Sequence, residues 1–222
     1  MDWQAIRLSL LLASATVLLL APLAILLASL LAFGHFRGRA LLEAAITLPL
    51  VLPPTVLGFY LLVAMGPQSV LGRLWHGLTG AGLAFSFSGL VAASLLINLP
   101  FFVQPLAAAL AGVEPRYLEA AASLGAGPFT RIRRVALPLA WRGLAAGAVL
   151  SFAHTMGEFG VVLMVGGDLP GRTRTASIAV FDQVQALDLA GAHRTALALL
   201  LMAFALLATV SFFKRGGRPW SF

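Results

Sequence analysis

The 222-residue chain contains no cysteine, a single lysine and few charged residues of either sign. The lack of cysteine excludes disulfide bonds and thiol chemistry. Charged residues make up 10% of the sequence and hydrophobic residues 60%, whereas a soluble domain of this size needs far more charge to cover its surface. The composition therefore predicts an integral membrane protein, and the length predicts that residues 1–222 form one membrane domain.

Sequence motifs for catalysis and nucleotide binding are also missing. The chain has no Gly-x4-Gly-Lys-Ser/Thr, no His-Glu-x-x-His and no Gly-x-Ser-x-Gly. His35, His76 and His193 are isolated near predicted loops, so we expect no metal site. His154 and Glu158 are the only pair that could serve an intramembrane enzyme. No surface combines aromatic and basic residues as nucleic-acid platforms do, so we expect no nucleic-acid partner.

Long apolar runs dominate what is present. A membrane-spanning helix needs about 20 mostly apolar residues. Five runs meet this requirement: Leu8–Phe33, Ala44–Met65, Leu83–Leu110, Gly143–Val165 and Thr195–Phe213. Residues 175–187 are too polar and too short to span, which favours a surface or re-entrant helix. The sequence thus predicts an all-α membrane protein with about five transmembrane helices.

The basic residues predict the orientation of these helices. One set of loops carries ten of them: Arg37, Arg39, Arg116, Arg131, Arg133, Arg134, Arg142, Lys214, Arg215 and Arg218. The opposite set carries five: Arg7, Arg73, Arg172, Arg174 and Arg194. Because basic residues concentrate in cytoplasmic loops, we expect the N-terminus outside, the C-terminus in the cytoplasm and residues 111–142 on the cytoplasmic side.

Prolines and neutral polar residues inside the spans indicate irregular helices. A proline frees backbone carbonyls, which in lipid must be satisfied by neighbouring helices or by a water-lined cavity. Pro53, Pro54 and Thr55 in the second span, Asn98 in the third and Thr155 in the fourth are therefore candidate pathway or gate residues. Kinks that serve packing alone explain the prolines equally well.

Glu158 is a carboxylate inside the fourth apolar run. Such a residue is costly in a membrane and is a candidate functional site. An unpaired carboxylate in an anion path would repel the anion, so we expect Glu158 to be paired with an arginine or with helix N–H groups and to act as a gate or packing element. Proton relay with His154, one helical turn away, is a less favoured alternative.

A polar, arginine-rich insert separates the third and fourth spans. Pro115 and Pro128 suit the first positions of two short helices, since proline there gives up only an N–H that is unpaired anyway. Gly125-Ala126-Gly127 is typical of a helix stop and turn. By composition alone, this segment could be a basic amphipathic hairpin lying on the membrane surface.

The spacing of the insert, Glu-Ala-Ala, three residues, Gly, nine residues and Val-Ala-Leu-Pro, resembles the coupling-loop signature of ABC importer permeases, with Val135 where that family has isoleucine. In that family the loop docks into a groove of a cytoplasmic ATPase. The resemblance implies a coupling loop at about residues 113–142. Its coupling residues would be Glu119, Ala120, Ala121, Gly125 and Pro138.

Two further segments extend the resemblance. Residues 47–58, Thr-Leu-Pro-Leu-Val-Leu-Pro-Pro-Thr-Val-Leu-Gly, are similar to the second-span signature of molybdate permeases and their sulfate and tungstate relatives. Gly157-Glu158-Phe159-Gly160 and Pro170–Thr175 look like the same group. Together the similar segments cover roughly residues 40 to 190. The resemblance implies the type I ABC importer permease fold and a multi-pass protein of the plasma (inner) membrane.

The same resemblance implies a set of partners. Two copies of the chain would form the pathway, two cytoplasmic ATPase subunits would use ATP-Mg, and an extracytoplasmic protein would deliver the oxyanion. This chain itself would bind no cofactor. Molybdate is the expected cargo, with sulfate, thiosulfate or tungstate as alternatives. A membrane scaffold that transports nothing and an intramembrane enzyme remain open as different classes of function.

Overall fold

The computed structural model describes the backbone of residues 2–214 and the side chains up to residue 208. Arg215 and Arg218, and with them the predicted cytoplasmic C-terminus, lie outside the described residues. All regular elements in this range are helical, which confirms the predicted all-α class. The helices are α1 Trp3–Phe33, α2 Arg39–Val51, α3 Pro54–Met65, α4 Val70–Thr79, α5 Phe87–Ala111, α6 Pro115–Ser123, α7 Pro128–Arg131, α8 Leu137–Leu139, α9 Trp141–Gly157, α10 Gly160–Gly166, α11 Ala176–Gln185 and α12 Leu189–Lys214, with a π-helical turn at Ile132–Ala136 between α7 and α8.

Three of the described helices are long and apolar enough to cross a membrane on their own: α1, α5 and the Leu189–Ala208 part of α12. Two bent pairs also pass when each is taken together: α2 with α3, and residues 128–139 with α9. By length and composition, the described residues therefore contain three spans, or up to five if each bent pair is one span, a range that includes the predicted number of about five.

The core lies where α1, α5 and α9 pack side by side. Leu20 and Ala24 of α1 meet Phe102 and Leu106 of α5 in one buried cluster. The outer faces of α1 and α12 are rich in exposed leucines. A helix that buries one side and exposes leucine on the other suits a bundle in a membrane. There, apolar side chains face both the protein core and the surrounding lipid hydrocarbon.

Small residues bring α5 and α9 unusually close together. A Cβ atom built on Gly147 would lie 2.7 Å from the carbonyl oxygen of Phe102, and one on Gly143 would lie 2.3 Å from the Cβ of Ala109. The two glycines are four residues apart and so share one face of α9. Glycine spaced in this way lets membrane helices approach closely, so that backbone and side-chain contacts replace a hydrophobic driving force.

The second span is two helices rather than one continuous helix. α2 ends at Val51, α3 starts at Pro54, and the two are bent by 111°. Leu52 between them is extended, with φ −73° and ψ 137°. The bend arises because proline disfavours a helical conformation in the residue before it and cannot donate the next helical hydrogen bond. The sequence predicted the irregularity but not a bend of this size.

The fourth predicted span, Gly143–Val165, is also wrong as a continuous helix. α9 ends at Gly157, and α10 begins at Gly160. Glu158 between them is extended, with ψ 131°. Its carboxylate accepts a hydrogen bond from the backbone N–H of Val161 and so caps α10. No proline marks this break, so hydropathy alone predicts an unbroken span.

Other boundaries differ at the end of the bundle that holds the start of α1. The third span begins at Phe87, not Leu83, because the Ser86 hydroxyl accepts a hydrogen bond from Gly89 N and caps α5. α4, which Ser69 caps in the same way, was not predicted. α11 confirms the predicted helix within residues 175–187.

Candidate coupling hairpin and broken-helix cavity

Residues 115–139 form a helical hairpin at the end of the bundle where α5 finishes and α9 begins. Pro115 is the first residue of α6 and Pro128 the first of α7, as predicted. Gly125 makes the turn with φ +81°, a conformation that costs an L-residue with a Cβ roughly 1–2 kcal/mol. The N–H of Ala126 donates to the carbonyl of Ala121 and closes the end of α6. The two predicted half-helices and their turn are confirmed.

The hairpin exposes most of its surface, including large apolar side chains. Within the described chain, Leu124 is 89% exposed and Phe129 74% exposed. No residue of α6 is buried, and Glu119 and Ala120 lie on its open surface. Exposed apolar side chains rimmed by charged residues are typical of protein contact sites. The surface formed by Glu119, Leu124 and Phe129 is called the hairpin surface below.

The base of the hairpin is buried and packs against the bundle. The second arm runs through the π-helical turn Ile132–Ala136 into α8, and then turns by 76° into α9. Ala136 and Ala140 are buried in the same cluster as Leu110 of α5. Pro138 lies exposed between them. A displacement of the hairpin would therefore be transmitted to α5 and α9 through packed side chains rather than through a flexible loop.

The two broken spans meet around a cavity of about 220 Å³. Its lining comes from both breaks and from α5, and includes Pro49, Leu52, Pro54, Phe101, His154 and Glu158. A Cβ atom built on Gly160 would lie 2.8 Å from Pro54, which shows how tightly the start of α10 packs on the start of α3. Non-helical backbone at membrane depth is tolerated where it is enclosed by protein or lines a cavity.

Glu158 is held by its neighbours rather than free in the cavity. One carboxylate oxygen accepts from Val161 N at 2.8 Å, while the other lies 3.8 Å from Nε2 of His154. The hydroxyl of Ser177 donates to the Glu158 carbonyl at 2.6 Å. The ring of His154 stacks on Phe101 with centroids 4.0 Å apart. The expected pairing with helix N–H groups is thus present, and no arginine side chain pairs with Glu158 within the described part of the chain.

Asn98 and Thr155 join α5 to α9 and do not line the cavity. Nδ2 of Asn98 donates to the Thr155 hydroxyl at 2.9 Å, and that hydroxyl donates to the Ser151 carbonyl at 2.8 Å. Both side chains are buried. Pro53 and Thr55, by contrast, are exposed. The candidate pathway residues therefore fall into three environments: an interhelical hydrogen bond, the broken-helix cavity and the open surface of α3.

The loop between α10 and α11 holds structural residues that the sequence reasoning missed. The buried Thr173 donates to the Gly166 carbonyl at 2.7 Å. Arg174 pairs with Asp168, Nη2 to Oδ2 2.8 Å, and lies 3.5 Å from Asp182. The hydrogen bond to Asp168 raises the pKa of Arg174 above its ordinary value. The opposite charges six residues apart were the signal that could have predicted this pair.

The described residues form an all-helical bundle with broken spans and a basic, surface-exposed helical hairpin, an arrangement that suits a membrane transport permease. Comparison with known proteins agrees. The family described as "Binding-protein-dependent transport system inner membrane component" matches residues 21–215. The chain belongs to this family.

Several curated relatives are similar along most of the chain. The Molybdenum transport system permease protein ModB of Azotobacter vinelandii is 48% identical over 93% of this chain and 91% of its own length. The protein of the same name from Escherichia coli K12 is 40% identical over 83% of this chain and 80% of its own. A probable sulfate transport system permease protein, cysT of Chlorella vulgaris, is 34% identical over 81% and 67%.

Solved structures share the fold at low sequence identity. A bacterial ABC transporter that imports the acidic polysaccharide alginate matches with a TM-score of 0.76 at 17% identity, over 99% of this chain and 82% of that one. The MetNI methionine ABC transporter in an inward-facing form matches with a TM-score of 0.69 at 15% identity, over 97% and 94%. These matches establish the ABC importer permease fold.

Proposed function

We propose that this chain is the membrane permease subunit of an ATP-driven, binding-protein-dependent molybdate importer. The observation that carries the proposal is the 48% identity to a molybdenum transport permease over 93% of the chain. The hairpin surface supports it, because a permease must present a docking element to a separate ATPase. The 34% identity to a probable sulfate permease makes sulfate the cargo against which molybdate must be tested.

The proposed assembly contains two copies of this chain, two cytoplasmic ATPase subunits and one extracytoplasmic binding protein. ATP-Mg is used by the ATPase subunits, and this chain binds no cofactor of its own. Glu119, Ala120 and Ala121 contact the ATPase, Gly125 shapes the turn, and Pro138 lies in the arm that leads to α9. The buried base of the hairpin at Ala136 and Ala140 supports this role, because it connects the hairpin to α5 and α9.

The broken-helix cavity is the proposed gate region. Pro53, Pro54 and Thr55 lie at the α2–α3 break, where Pro54 shares the cavity with Glu158. The Asn98–Thr155 hydrogen bond joins α5 to α9. Because the carboxylate at the break caps the next helix, the bend can change while the Val161 N–H remains paired. In this proposal the plasma (inner) membrane surrounds the bundle, the N-terminus is outside, and the hairpin is cytoplasmic.

The deciding experiment measures ATP hydrolysis by this chain co-assembled with its ATPase and binding protein in liposomes. Molybdate, tungstate and sulfate are compared at low concentration. We expect molybdate to stimulate hydrolysis and sulfate to leave it unchanged. Stimulation by sulfate instead would keep the mechanism but reject the cargo, and an ATPase that never co-purifies with the chain would reject the whole assembly.

Charge reversal on the hairpin tests the docking surface within the same assay. Glu119→Lys should lower ATPase association and uptake by tenfold or more, since like charges placed against each other at an interface cost several kcal/mol. Glu43→Lys is the matched control, because Glu43 is also an exposed carboxylate but lies on α2, outside the hairpin. Equal loss in both variants, or in neither, would contradict the assignment of Glu119 to the interface.

A further inference from the structure

A cavity of about 530 Å³ opens beside the first turns of α1, at the opposite end of the bundle from the hairpin. It is called the α1 cavity here. Three parts of the chain build it: the start of α1, the start of α5 and the loop before α11. Its principal lining residues are Gln4, Arg7, Leu8, Leu11, Phe87 and Arg172. Its volume falls within the range of ordinary ligand sites, and none of the functions described above uses it.

Two arginines of the α1 cavity, Arg7 and Arg172, have no ion-pair partner among the described residues. Arg174 in the same loop is neutralised by Asp168 and Asp182. Arg7 and Arg172, by contrast, are exposed and form no ion pair with any described residue. Two guanidinium groups together with the amide of Gln4 form a donor set suited to phosphate oxygens, which arginine binds in a planar, bidentate manner.

Below the arginines, the cavity wall is apolar. Leu8, Leu11 and Phe87 line it. Leu11 lies four residues after Arg7 and seven before Leu18. Arg7, Leu11 and Leu18 therefore form one stripe along α1. Leu11 is 53% exposed and Leu18 74% exposed. A cationic rim that continues into an open leucine stripe fits a ligand with an anionic head and a long apolar tail.

The length of α1 places this rim at the level of lipid phosphates. The helix has 31 residues, or about 46 Å at 1.5 Å per residue, whereas the hydrocarbon core is about 30 Å thick. Sharing the excess between both ends leaves about five residues of α1 in each headgroup layer. Trp3 then lies in that layer, as interfacial tryptophans do, Arg7 lies at its boundary, and Leu11 and Leu18 lie in the hydrocarbon.

We propose that the α1 cavity binds an anionic phospholipid, with the phosphate held by Arg7, Arg172 and Gln4 and an acyl chain lying along Leu11 and Leu18. A free oxyanion could bind the two arginines in the same way but would make no contact with the apolar wall and the leucine stripe. A phospholipid contacts the arginines through its phosphate and the apolar surface through its acyl chain. The proposal is independent of the cargo and of the ATPase assembly, so neither result decides the other.

Fluorescence of a Leu18→Trp variant provides a direct test in vesicles. Leu18 is exposed on the stripe that continues from the α1 cavity into the hydrocarbon, so lipid brominated in its acyl chains quenches a tryptophan at this position when the acyl chain lies along α1. The chain is reconstituted in phosphatidylcholine containing a small fraction of brominated phosphatidylglycerol, or of brominated phosphatidylcholine as the uncharged reference. The unsubstituted chain gives the background from the native tryptophans.

We expect quenching in the Leu18→Trp variant to show a roughly tenfold preference for phosphatidylglycerol over phosphatidylcholine, since each basic residue near an anionic surface adds about 1 kcal/mol. The double variant Arg7→Gln with Arg172→Gln should lose this selectivity, and Arg7→Lys with Arg172→Lys should keep much of it. Arg73→Gln is the matched control, because Arg73 is an exposed arginine of α4 that does not line the cavity.

Three outcomes would overturn the proposal. Equal quenching by both brominated lipids would show that the cavity does not select charge. Displacement of the brominated phosphatidylglycerol by inorganic phosphate, at an ionic strength where chloride has no effect, would assign the cavity to a free oxyanion. Selectivity that survives the double glutamine variant, with stimulation by the binding protein lost instead, would assign the two arginines to a protein contact.

Discussion

At the scale of single residues, a few glycines and polar side chains determine how α5 and α9 pack together. Gly147 is the clearest case, because the Phe102 backbone occupies the place of a side chain. The four-residue spacing of Gly143 and Gly147 was a usable signal in the sequence. Asn98 and Thr155 carried no such signal, since neither the sequence positions nor their polarity reveals that the two side chains bond to each other.

Gly147→Ala should destabilise the bundle by about 1–3 kcal/mol, because the added methyl would overlap the Phe102 carbonyl and ring and force α5 and α9 apart. The measurement is thermal unfolding in detergent. Gly157→Ala is the matched control: it adds the same methyl to the same helix, where no atom lies within 4 Å. Comparable loss of stability in the two variants would show that the contact with Phe102 is not responsible, because alanine by itself favours a helix over glycine.

At the scale of elements, proline and glycine determined how well the helices could be predicted. Pro115 and Pro128 start helices where expected, because the ring fixes φ and the missing N–H has no partner at a helix start. The Glu158 break could not be predicted in the same way. It depends on a carboxylate that caps α10 and on Ser177, a residue of another helix, which donates to the Glu158 carbonyl.

The hairpin turn offers a test at this scale. Gly125→Ala should strain the turn by roughly 1 kcal/mol, since Gly125 has φ +81°, and should weaken ATPase association while leaving the unfolding temperature of the spans unchanged. Gly127→Ala is the control two residues away, because Gly127 has φ −66° and open space around it. If Gly127→Ala impaired association as much as Gly125→Ala, the turn conformation would not be the cause.

At the scale of the whole molecule, the hairpin and the α1 cavity lie at opposite ends of one bundle. The buried clusters show this arrangement: Ala136 packs with Leu110 at one end, and Leu8 packs with Leu90 at the other. The order of the helices along the chain therefore separates two surfaces, one suited to a protein partner and the other to a lipid headgroup.

Cysteine labelling tests the proposed orientation, and the absence of native cysteine makes the background clean. Ala81→Cys, between α4 and α5, should react in intact cells with a maleimide that cannot cross the membrane. Ala122→Cys, exposed on the hairpin, should react only after the membrane is opened. The reverse pattern would place the hairpin outside and would contradict both the charge bias and the proposed ATPase contact.

The sequence by itself determined the membrane class, the approximate number of spans and the position of the hairpin. These features follow from local properties: apolar run length, the fixed φ of proline and the tolerance of glycine for positive φ. Only the tertiary structure decided the size of the α2–α3 bend, the break at Glu158, the choice of α5 as the helix that Gly143 and Gly147 contact, and the gathering of Arg7 and Arg172 into one cavity. Each of these depends on residues far apart in the chain, and pairings of that kind have no signature in a single stretch of sequence.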